Sequence, residues 1–460
     1  MPPVRGQSDP NCPGCRELKS RVRALEEALV QQGQLVSSLQ QQVDELKQEA
    51  HRQAAPFRKP ESKRKDEKDK PGRKKGHPPS YRQPPPTADE HVEVPLPQCP
   101  NCQGPLTKLR PIEQTIEDLP RVVVRRLHLT TYRGHCAHCG TVCSTHPEQV
   151  STATGAASTH LGRNALALAA DLNKHFGLPM RKTCAILHEH FGLRVSPGGL
   201  SQALDRIADK LQVPFAEIVQ ALRQSRAVHA DETGWWLGGE SAWLWTFATM
   251  LCTLYIIGNR SQEMIRRVLG DDFRGVLISD CLASYDPHPG PKSKCCAHHL
   301  KAISEALEQA PGSAYLANLR WFLKAAMLWC EMRAELDPAE YWPMVAQLNR
   351  RADELIAAAH SHPAEIRIGN RLGKHREHLL TFLDLEGVDP TNNLAERQLR
   401  PAVVARKLSA GNKTDRGKTT YETLTSLAVT CRQQGRSFTA LVAAWLSLGL
   451  PPPGSLFAPD

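Results

Sequence analysis

The chain has 460 residues, 40% of them hydrophobic, and its 58 Lys and Arg exceed its 48 Asp and Glu by a formal net charge of +10. A single hydrophobic core rarely extends past roughly 250–300 residues, so this length predicts several domains. No stretch approaches the roughly 20 apolar residues of a membrane helix, and the N-terminal segment has no apolar signal core, so we expect neither membrane insertion nor secretion.

Residues 1–50 are predicted to contain a leucine-zipper coiled coil. Between Leu18 and Leu46, apolar residues recur at alternating intervals of three and four. One heptad position is occupied by Leu18, Leu25, Gln32, Leu39 and Leu46, and the other by Val22, Leu29, Val36 and Val43. Leu at position d with mainly β-branched residues at position a favours a parallel two-stranded coiled coil. We therefore expect a homodimer through this segment, with an intramolecular helical hairpin as the alternative.

Cys12 and Cys15 form a C-x-x-C pair just before the heptads. A parallel coiled coil would bring two copies of this pair together, and four thiolates suit a tetrahedral Zn²⁺ site. We therefore hypothesise an interchain zinc site at Cys12 and Cys15. The alternative is a disordered pair that is open to oxidation.

Residues 51–97 are predicted to form a flexible basic linker that is rich in proline. Within it, residues 51–82 contain twelve Lys and Arg against four Asp and Glu, an excess of eight positive charges. Such runs lack a core and commonly bind polyanions. The residues expected to contact DNA phosphates here are Arg64, Lys65, Arg73, Lys74 and Lys75. A linker that is only solvated is the alternative.

Residues 98–146 are predicted to form a small zinc-binding domain. The pairs Cys99/Cys102 and Cys136/Cys139 each have C-x-x-C spacing and are separated by thirty-three residues. Four thiolates close the coordination of a structural Zn²⁺ ion and leave no position for catalysis. The intervening segment VVVRRLHLTTYRG, residues 122–134, is expected to form strands. This use of cysteine favours a reducing compartment, so we expect a cytoplasmic protein.

Residues 150–225 are predicted to form a helical DNA-binding region. The segments KTCAILHEHF and PGGLSQALDRIADKL, joined by GLRV, are typical of a helix-turn-helix. Ser196 suits the N-cap of the second helix and Pro197 suits its first position. The second helix could then enter a DNA major groove. Two ordinary packed helices are the alternative.

From residue 226 onward, strands mixed with helices predict an α/β core. AVHADETGWWL and ESAWLWTFATM, separated by Gly238-Gly239, are typical of a β-hairpin. TLYIIG is expected to add a strand, SQEMIRRVLG a helix, and GVLISD a further strand. Residues 299–388 and 416–448 are predicted to be mainly helical, the latter within a C-terminal helical element at 409–460.

Two aspartates lie at predicted strand ends, Asp231 after AVHA and Asp280 after GVLIS. A carboxylate beside a hydrophobic core is costly unless it is paired or bound to a metal ion. Either residue alone could be a turn former or a helix cap. The two together indicate a site.

A third acid lies in the segment DPTNNLAERQLRP. We predict a helix that begins at Pro390, with Asp389 as its N-cap, and ends at Pro401. The residues expected on one polar face of this helix are Asn393, Glu396, Arg397 and Arg400. One glutamate beside two arginines suits a metal ligand next to phosphate-binding groups. A solvated helix face is the alternative.

Four motifs, in this order, resemble those of the DDE transposases of the insertion sequence sixty-six (TnpC) family: ADETGWW, LISDCLASYD, CCAHHLK and TNNLAERQLRPAVVARK. The series of zipper, basic linker and four-cysteine domain is similar as well, so the resemblance covers nearly the whole chain. It implies a multidomain fold with an RNase H-like α/β catalytic domain at 226–408, into which a helical insertion is placed at about 300–388.

The resemblance also implies the roles of individual residues. Asp231, Asp280 and Glu396 would be the catalytic residues and would hold two Mg²⁺ or Mn²⁺ ions per active site. The residues expected to support them are His298, Asn393, Arg397, Arg400 and Lys407. In CCAHHLK, a cysteine stands where relatives have an aromatic residue before Ala-His, and a buried histidine is the alternative role of His298.

A transposase of this family would cleave and join double-stranded DNA at the terminal inverted repeats of its element and at a target. Accessory proteins encoded by the element are further expected partners, and the expected location is the nucleoid of a prokaryotic cell. Two rival functions remain. One is a catalytically inactive DNA-binding protein derived from a transposase, and the other is a resolvase-like metal-dependent nuclease.

Overall fold

The structure is a computed structural model that describes residues 85–119, 122–153, 159–358, 361–448, 450–451 and 453–458. The chain divides into two units, Met1–Glu117 and Asp118–Asp460. The predicted coiled coil, the Cys12/Cys15 pair and the five DNA-binding residues expected between Arg64 and Lys75 lie outside the described residues. Within the described part, no helix has both the length and the apolar character needed to cross a bilayer.

The second unit is a mixture of strands and helices. The described strands are β1 (Arg133–Cys136), β2 (Gly140–Cys143), β3 (Ala227–Leu237), β4 (Glu240–Ala248), β5 (Thr253–Gly258), β6 (Val276–Ser279) and β7 (Lys292–Lys294). The described α-helices are α1 (Arg163–Ala170), α2 (Met180–Phe191), α3 (Pro197–Lys210), α4 (Gln212–Arg223), α5 (Gln262–Leu269), α6 (Cys296–Gln309), α7 (Ala314–Glu331), α8 (Pro338–Ala357), α9 (Pro363–Lys374), α10 (Thr381–Asp384), α11 (Asn393–Ser409), α12 (Asp415–Gln433) and α13 (Phe438–Leu446).

The sheet that carries the acidic residues has five strands in the order β5-β4-β3-β6-β7. β3 pairs antiparallel with β4, and β4 pairs antiparallel with β5. β3 pairs parallel with β6, and β6 pairs parallel with β7. The predicted hairpin is confirmed, because Gly238 and Gly239 join β3 to β4 with φ values of 64° and 95°. Two consecutive positive φ angles are those of a type I′ turn, whose twist matches that of the paired strands.

Helices cover both faces of this sheet. On β6, Leu277 belongs to a core formed with α1–α5, α12 and α13, whereas Val276 and Ile278 pack with α6–α10. This division follows from the alternation of side chains along a strand. The predicted helical region, the α/β region and the C-terminal element therefore share one continuous hydrophobic core.

Side chains of helix α12 accept hydrogen bonds from backbone N–H groups of the edge strand β5. The N–H groups of Thr253, Tyr255 and Ile257 donate hydrogen bonds of 3.1, 2.8 and 2.6 Å to the side-chain oxygens of Thr430, Ser426 and Glu422, respectively. Four residues of helix and two residues of strand both advance by about 6–7 Å, so the two sets of groups remain in register. An unpaired strand edge invites aggregation, and the side chains of α12 protect this one.

The predicted helix-turn-helix pair corresponds to α2 and α3. Ser196 is the N-cap of α3 and accepts the N–H of Gly199 at 3.1 Å, and Pro197 is the first helical residue, as predicted. The later turns of α3 are engaged by α12, however. Thr420 donates a hydrogen bond of 2.6 Å to Asp205, and Arg416 forms an ion pair with Asp209. The exposed residues of α3 that are free of these contacts include Ser201, Gln202 and Arg206.

The strands predicted at residues 122–134 are wrong for most of that segment. Residues 122–132 form no strand, and β1 begins only at Arg133. Val122 and Val123 are exposed, so neither residue packs against a core. An alternating or apolar pattern predicts a strand only where a partner strand accepts its hydrogen bonds, and the described partner, β2, pairs with Arg133–Cys136 alone.

We predict that Ser426→Ala destabilises the protein by about 1–3 kcal/mol, because it leaves the buried N–H of Tyr255 without an acceptor. The control is Ser201→Ala, an exposed position on α3, where the free energy of unfolding should change by less than about 0.5 kcal/mol. Urea unfolding followed by tryptophan fluorescence measures both, since all eight Trp lie beyond Asp118. Equal effects of the two substitutions would contradict this role of α12.

Candidate active site

Asp231 and Asp280 lie side by side on neighbouring parallel strands. The register pairs Ala227 with Val276 and His229 with Ile278, and two further residues along each strand reach the two aspartates. Asp280 directly follows the last residue of β6, as predicted. Asp231 differs from the prediction, since β3 continues past it to Leu237. The strand continues because β4 pairs with it from His229 to Leu237, whereas β6 pairs only with Ala227–His229.

Helix α11 carries Glu396 in its first turn. The predicted bounds of this helix are wrong at both ends. Its N-cap is Asn392. Asp389 lies in the preceding turn, where its carboxylate accepts hydrogen bonds of 2.7 and 2.8 Å from the N–H and the hydroxyl of Thr391. The helix also continues through Pro401 to Ser409. A proline inside a helix removes one backbone hydrogen bond, and contacts with the sheet offset that loss here.

The predicted polar face of α11 is confirmed as an exposed face. Leu394, Ala395, Leu399 and Ala402 are buried. The exposed residues are Asn393, Glu396, Arg397 and Arg400, and Lys407 is exposed in the last turns. The carboxylate of Glu396 and two guanidinium groups are thus accessible to a polyanionic ligand.

The N-terminal end of α11 is attached to β3 by a buried residue. Asn392 is fully buried, and its side-chain amide donates to the carbonyl of Ala230 at 2.8 Å. Ala230 directly precedes Asp231. The backbone N–H of Asn392 also contacts Cys295 Sγ at 3.1 Å, and the N–H of Cys296 donates to the carbonyl of Pro390 at 2.9 Å. These bonds set the position of Glu396 relative to Asp231.

The other end of α11 is attached to the β3–β4 hairpin. Arg406 donates to the hydroxyl of Thr233 at 3.2 Å and to the carbonyl of Gly234. Beyond the helix, Asn412 exchanges backbone hydrogen bonds of 2.9 Å with Trp236 and Gly238. Its side chain accepts the indole N–H of Trp235, also at 2.9 Å. The whole helix is therefore aligned on the strand that carries Asp231.

The three carboxylates lie within electrostatic reach of one another. The pKa of Asp231 is raised to about 7, mainly by burial and also by the charges of Glu232, Asp280 and Glu396, against an opposing hydrogen bond from the N–H of Glu232. That N–H contacts Asp231 at 3.0 Å, and the N–H of Leu282 contacts Asp280 at 2.8 Å. Neither aspartate forms an ion pair with a Lys or Arg in the described part of the chain. The site thus concentrates negative charge that a cation would neutralise.

Glu232 differs from its neighbour because its charge is compensated. Its side chain is only 3% exposed. Its carboxylate accepts a hydrogen bond of 2.9 Å from the guanidinium of Arg260 and one of 2.6 Å from the hydroxyl of Tyr285. Arg260 in turn stacks on Trp243, with 3.9 Å from guanidinium carbon to ring centre. Glu232 could not be singled out from the sequence, since nothing local separates a paired acid from an unpaired one.

His298 and Cys295 lie beside Glu396. The Nδ1 atom of His298 is 3.8 Å from Oε1 of Glu396, and the two side chains are 36% and 42% exposed. His298 is therefore not the buried histidine considered as the alternative. That description fits His299, whose pKa is lowered to about 3, chiefly by burial. Cys295 is fully buried and was not identified from the sequence.

The two predicted zinc-binding cysteine pairs each form a compact local turn. The N–H of Gln103 donates to the carbonyl of Cys99 at 2.8 Å, and the N–H of Cys99 donates to Gly104 at 3.0 Å. Cys136 ends β1 and Cys139 lies in the turn before β2. Backbone N–H groups lower the pKa of Cys99 (from Asn101 and Cys102) and of Cys136 (from Cys139 and His138). The pairs belong to different units, so a shared zinc site stays a prediction.

We predict that, in buffer without divalent ions, Asp231→Asn becomes progressively more stable than the wild type as the pH rises from about 4 to about 7. The folded pKa of about 7 lies above the ordinary value of 3.8, so the folded chain retains a proton that the unfolded chain has lost. The free energy of unfolding of the wild type then falls by up to about 4 kcal/mol over this range and levels off above it. Urea unfolding at several pH values measures the difference.

Asp286→Asn is the matched control for this pH series. Partial burial raises the pKa of Asp286, but hydrogen bonds from Lys374 and Lys294 lower it more, so the net shift is downward. Its stabilising contribution is present above the unfolded pKa and is lost as the pH falls through the folded pKa. The cost of Asp286→Asn should therefore be largest near neutral pH. The same pH trend in both variants would contradict the assignment of Asp231.

Comparison with known proteins agrees with this arrangement. The sequence model of the family described as "Transposase IS66 family" matches residues 159–420, more than half of the chain and a span that contains Asp231, Asp280 and Glu396. The uncharacterised protein y4qI of Sinorhizobium fredii is 24% identical over 310 residues, covering 56% of this chain and 54% of that protein. The chain thus spans about half the length of this curated relative. By the family match, this protein belongs to the IS66 transposase family.

Proposed function

We propose that the protein is a DDE transposase that cleaves and joins DNA through Asp231, Asp280 and Glu396. The observation that carries this proposal is the placement of Asp231 and Asp280 on neighbouring parallel segments and of Glu396 at a helix start nearby, where the charges of Asp280 and Glu396 add to the burial that raises the pKa of Asp231. Carboxylate oxygens are hard ligands that suit Mg²⁺ or Mn²⁺. Two such ions would supply the charge needed to activate an attacking hydroxyl and to stabilise a leaving oxygen at phosphorus.

We further propose that residues 226–408 form an RNase H-like domain. The support is topological. The strand order β5-β4-β3-β6-β7, with three antiparallel strands followed by two parallel ones, is that of RNase H-like folds. Helices α6–α10 stand between β7 and α11, where the sequence predicts a helical insertion. Asp231 then lies within the central strand β3, and Asp280 directly follows its parallel neighbour β6.

The remaining residues of the site are assigned by where they lie. Arg397 and Arg400 share the exposed face of α11 with Glu396, and guanidinium groups there can bind the phosphates that flank the reacting bond. Asn393 lies on the same face, and Lys407 extends it toward the C-terminal end. Asn392 and Arg406 hold the helix on β3, so their contribution is to position Glu396.

DNA recognition is proposed to lie mainly outside the catalytic core. The basic linker supplies attraction that does not depend on sequence, and the zinc-binding domain is a candidate for reading the terminal inverted repeats. A coiled-coil homodimer would hold two element ends, and accessory proteins encoded by the element would be further partners. The contacts of Asp205 and Asp209 with α12 leave α3 a smaller role than a free recognition helix would have.

We predict that Glu396→Gln and Asp231→Asn each lower cleavage of labelled element ends in Mg²⁺ by at least about 10²-fold, since each removes a charged metal ligand. DNA binding in a gel-shift assay should persist. The control is Glu386→Gln, an exposed glutamate in the loop before α11, which should cleave like the wild type. Wild-type protein that binds the ends but never cleaves them would favour the rival function, an inactive DNA-binding protein.

We predict that Cys136→Ser lowers the zinc content by about one ion per chain, because four thiolates share one structural ion. Cys143→Ser, a neighbouring exposed cysteine outside the two pairs, should leave the content unchanged. If two chains share a zinc ion at Cys12 and Cys15, Cys12→Ser should remove about half an ion per chain. Atomic absorption on purified protein measures all three. Equal zinc in the wild type and Cys136→Ser would exclude the four-cysteine site.

A further inference from the structure

We propose that Cys295, His298 and Glu396 form a binding site for one thiophilic transition-metal ion of the Zn²⁺ type, with one coordination position left open. This site shares Glu396 with the proposed catalytic acids but adds a sulfur and a nitrogen ligand to it. The ability to bind the ion does not depend on the proposed function. Only a consequence for DNA cleavage would rest on that proposal.

The geometry of the three ligand atoms supports the site. Cys295 Sγ, a ring nitrogen of His298 and a carboxylate oxygen of Glu396 all lie within 4.8 Å of one another. His298 Nδ1 and Glu396 Oε1 are 3.8 Å apart, too far for a hydrogen bond, and Nδ1 is buried without a hydrogen-bond partner. Ligands of a tetrahedral Zn²⁺ ion stand about 3.3–3.7 Å from one another, given metal–ligand distances of 2.0–2.3 Å. Small side-chain rotations would therefore bring all three atoms to one ion.

Two helix ends hold the ligands in place. Cys295 is the N-cap of α6, His298 lies in the first turn of α6, and Glu396 lies in the first turn of α11. The hydrogen bond from the N–H of Cys296 to the carbonyl of Pro390 ties the two helix starts together. Burial raises the pKa of the Cys295 thiol overall, although the N–H groups of Asn392, His298 and Ala297 lower it, so a bound metal ion would have to displace the thiol proton. The N–H of Asn392, 3.1 Å from Cys295 Sγ, is an outer partner of the kind that orients metal ligands.

The types of ligand indicate which metal would bind. Sulfur and imidazole nitrogen select Zn²⁺ and similar transition metals, whereas Mg²⁺ requires oxygen ligands. A thiolate and a carboxylate together balance the charge of a divalent ion. Zinc sites with three protein ligands keep the fourth position for water or substrate, whereas structural sites use four. The partly exposed side chains of His298 and Glu396 give the ion a path from solvent.

The test is titration of the full-length protein with Co²⁺, which replaces Zn²⁺ and gives a thiolate-to-cobalt charge-transfer band in the near ultraviolet when sulfur is bound. Wild-type protein should show this band, and Cys295→Ser should lose the part due to this site. His298→Gln should weaken Co²⁺ binding by about 10-fold or more. The difference between wild type and Cys295→Ser removes any contribution of the other cysteines, which both proteins share.

Cys330→Ser is the matched control, since Cys330 is a partly buried cysteine that packs against the core and donates a hydrogen bond of 3.5 Å to the carbonyl of Phe382. It should keep the full band. Thermal unfolding first establishes that wild type and Cys295→Ser are both folded. Identical Co²⁺ spectra for the two folded proteins would then overturn the proposal. If Cys295→Ser does not fold, unchanged Co²⁺ affinity in His298→Gln overturns it equally. The titration contains no DNA, so its result stands apart from the cleavage assay with Glu396→Gln.

Discussion

Asn392 donates its side-chain amide to the carbonyl of Ala230 and its backbone N–H to the sulfur of Cys295, so one buried residue joins β3 to the starts of α6 and α11. Asp231, His298 and Glu396 each lie within four residues of a group that these bonds join. A buried amide that lost these partners would cost the full desolvation of its polar atoms. The position of Glu396 relative to Asp231 is therefore fixed by a hydrogen bond that spans 162 residues of sequence.

Charge explains why the site needs such an attachment. The charges of Asp280 and Glu396 disfavour the ionised form of Asp231, and either a proton on Asp231 or a bound cation would reduce this repulsion. The neighbouring Glu232 is neutralised by Arg260 and therefore adds rigidity to β3. Two acids that are adjacent in sequence thus have different roles, because alternate residues of a strand face opposite sides. The segments that carry the unpaired acids are therefore held in place by hydrogen bonds between backbone groups and uncharged side chains.

The shared hydrophobic core includes the predicted helix-turn-helix pair. The helices before β3 and those after α11 pack on the same face of the sheet, and α12 satisfies the edge of β5. Helices α2 and α3 therefore pack in the same hydrophobic core as the strands that carry Asp231 and precede Asp280.

The sequence by itself determined the features that depend on near neighbours. The Gly238-Gly239 turn, the Ser196 cap with Pro197, and the polar face of α11 all arise from interactions within a few residues, and the structure confirms each. The ordered motifs also sufficed to identify the family. Local signals failed where a distant contact decided the outcome. Asp389 and Pro401 suggested helix ends, but contacts of α11 with β3 and Cys295 place those ends elsewhere.

Three contacts could be seen only in the tertiary structure. Cys295 lies beside Glu396, Glu232 pairs with Arg260, and α12 packs against both α3 and β5. Each of these contacts joins residues from separate elements, and no periodicity or spacing in one chain encodes such a distance. The physical reason is that caps and turns are stabilised by bonds within one segment, whereas a site is assembled by the packing of several. The three acids could therefore be predicted from the sequence, whereas the fold determines which other side chains surround them.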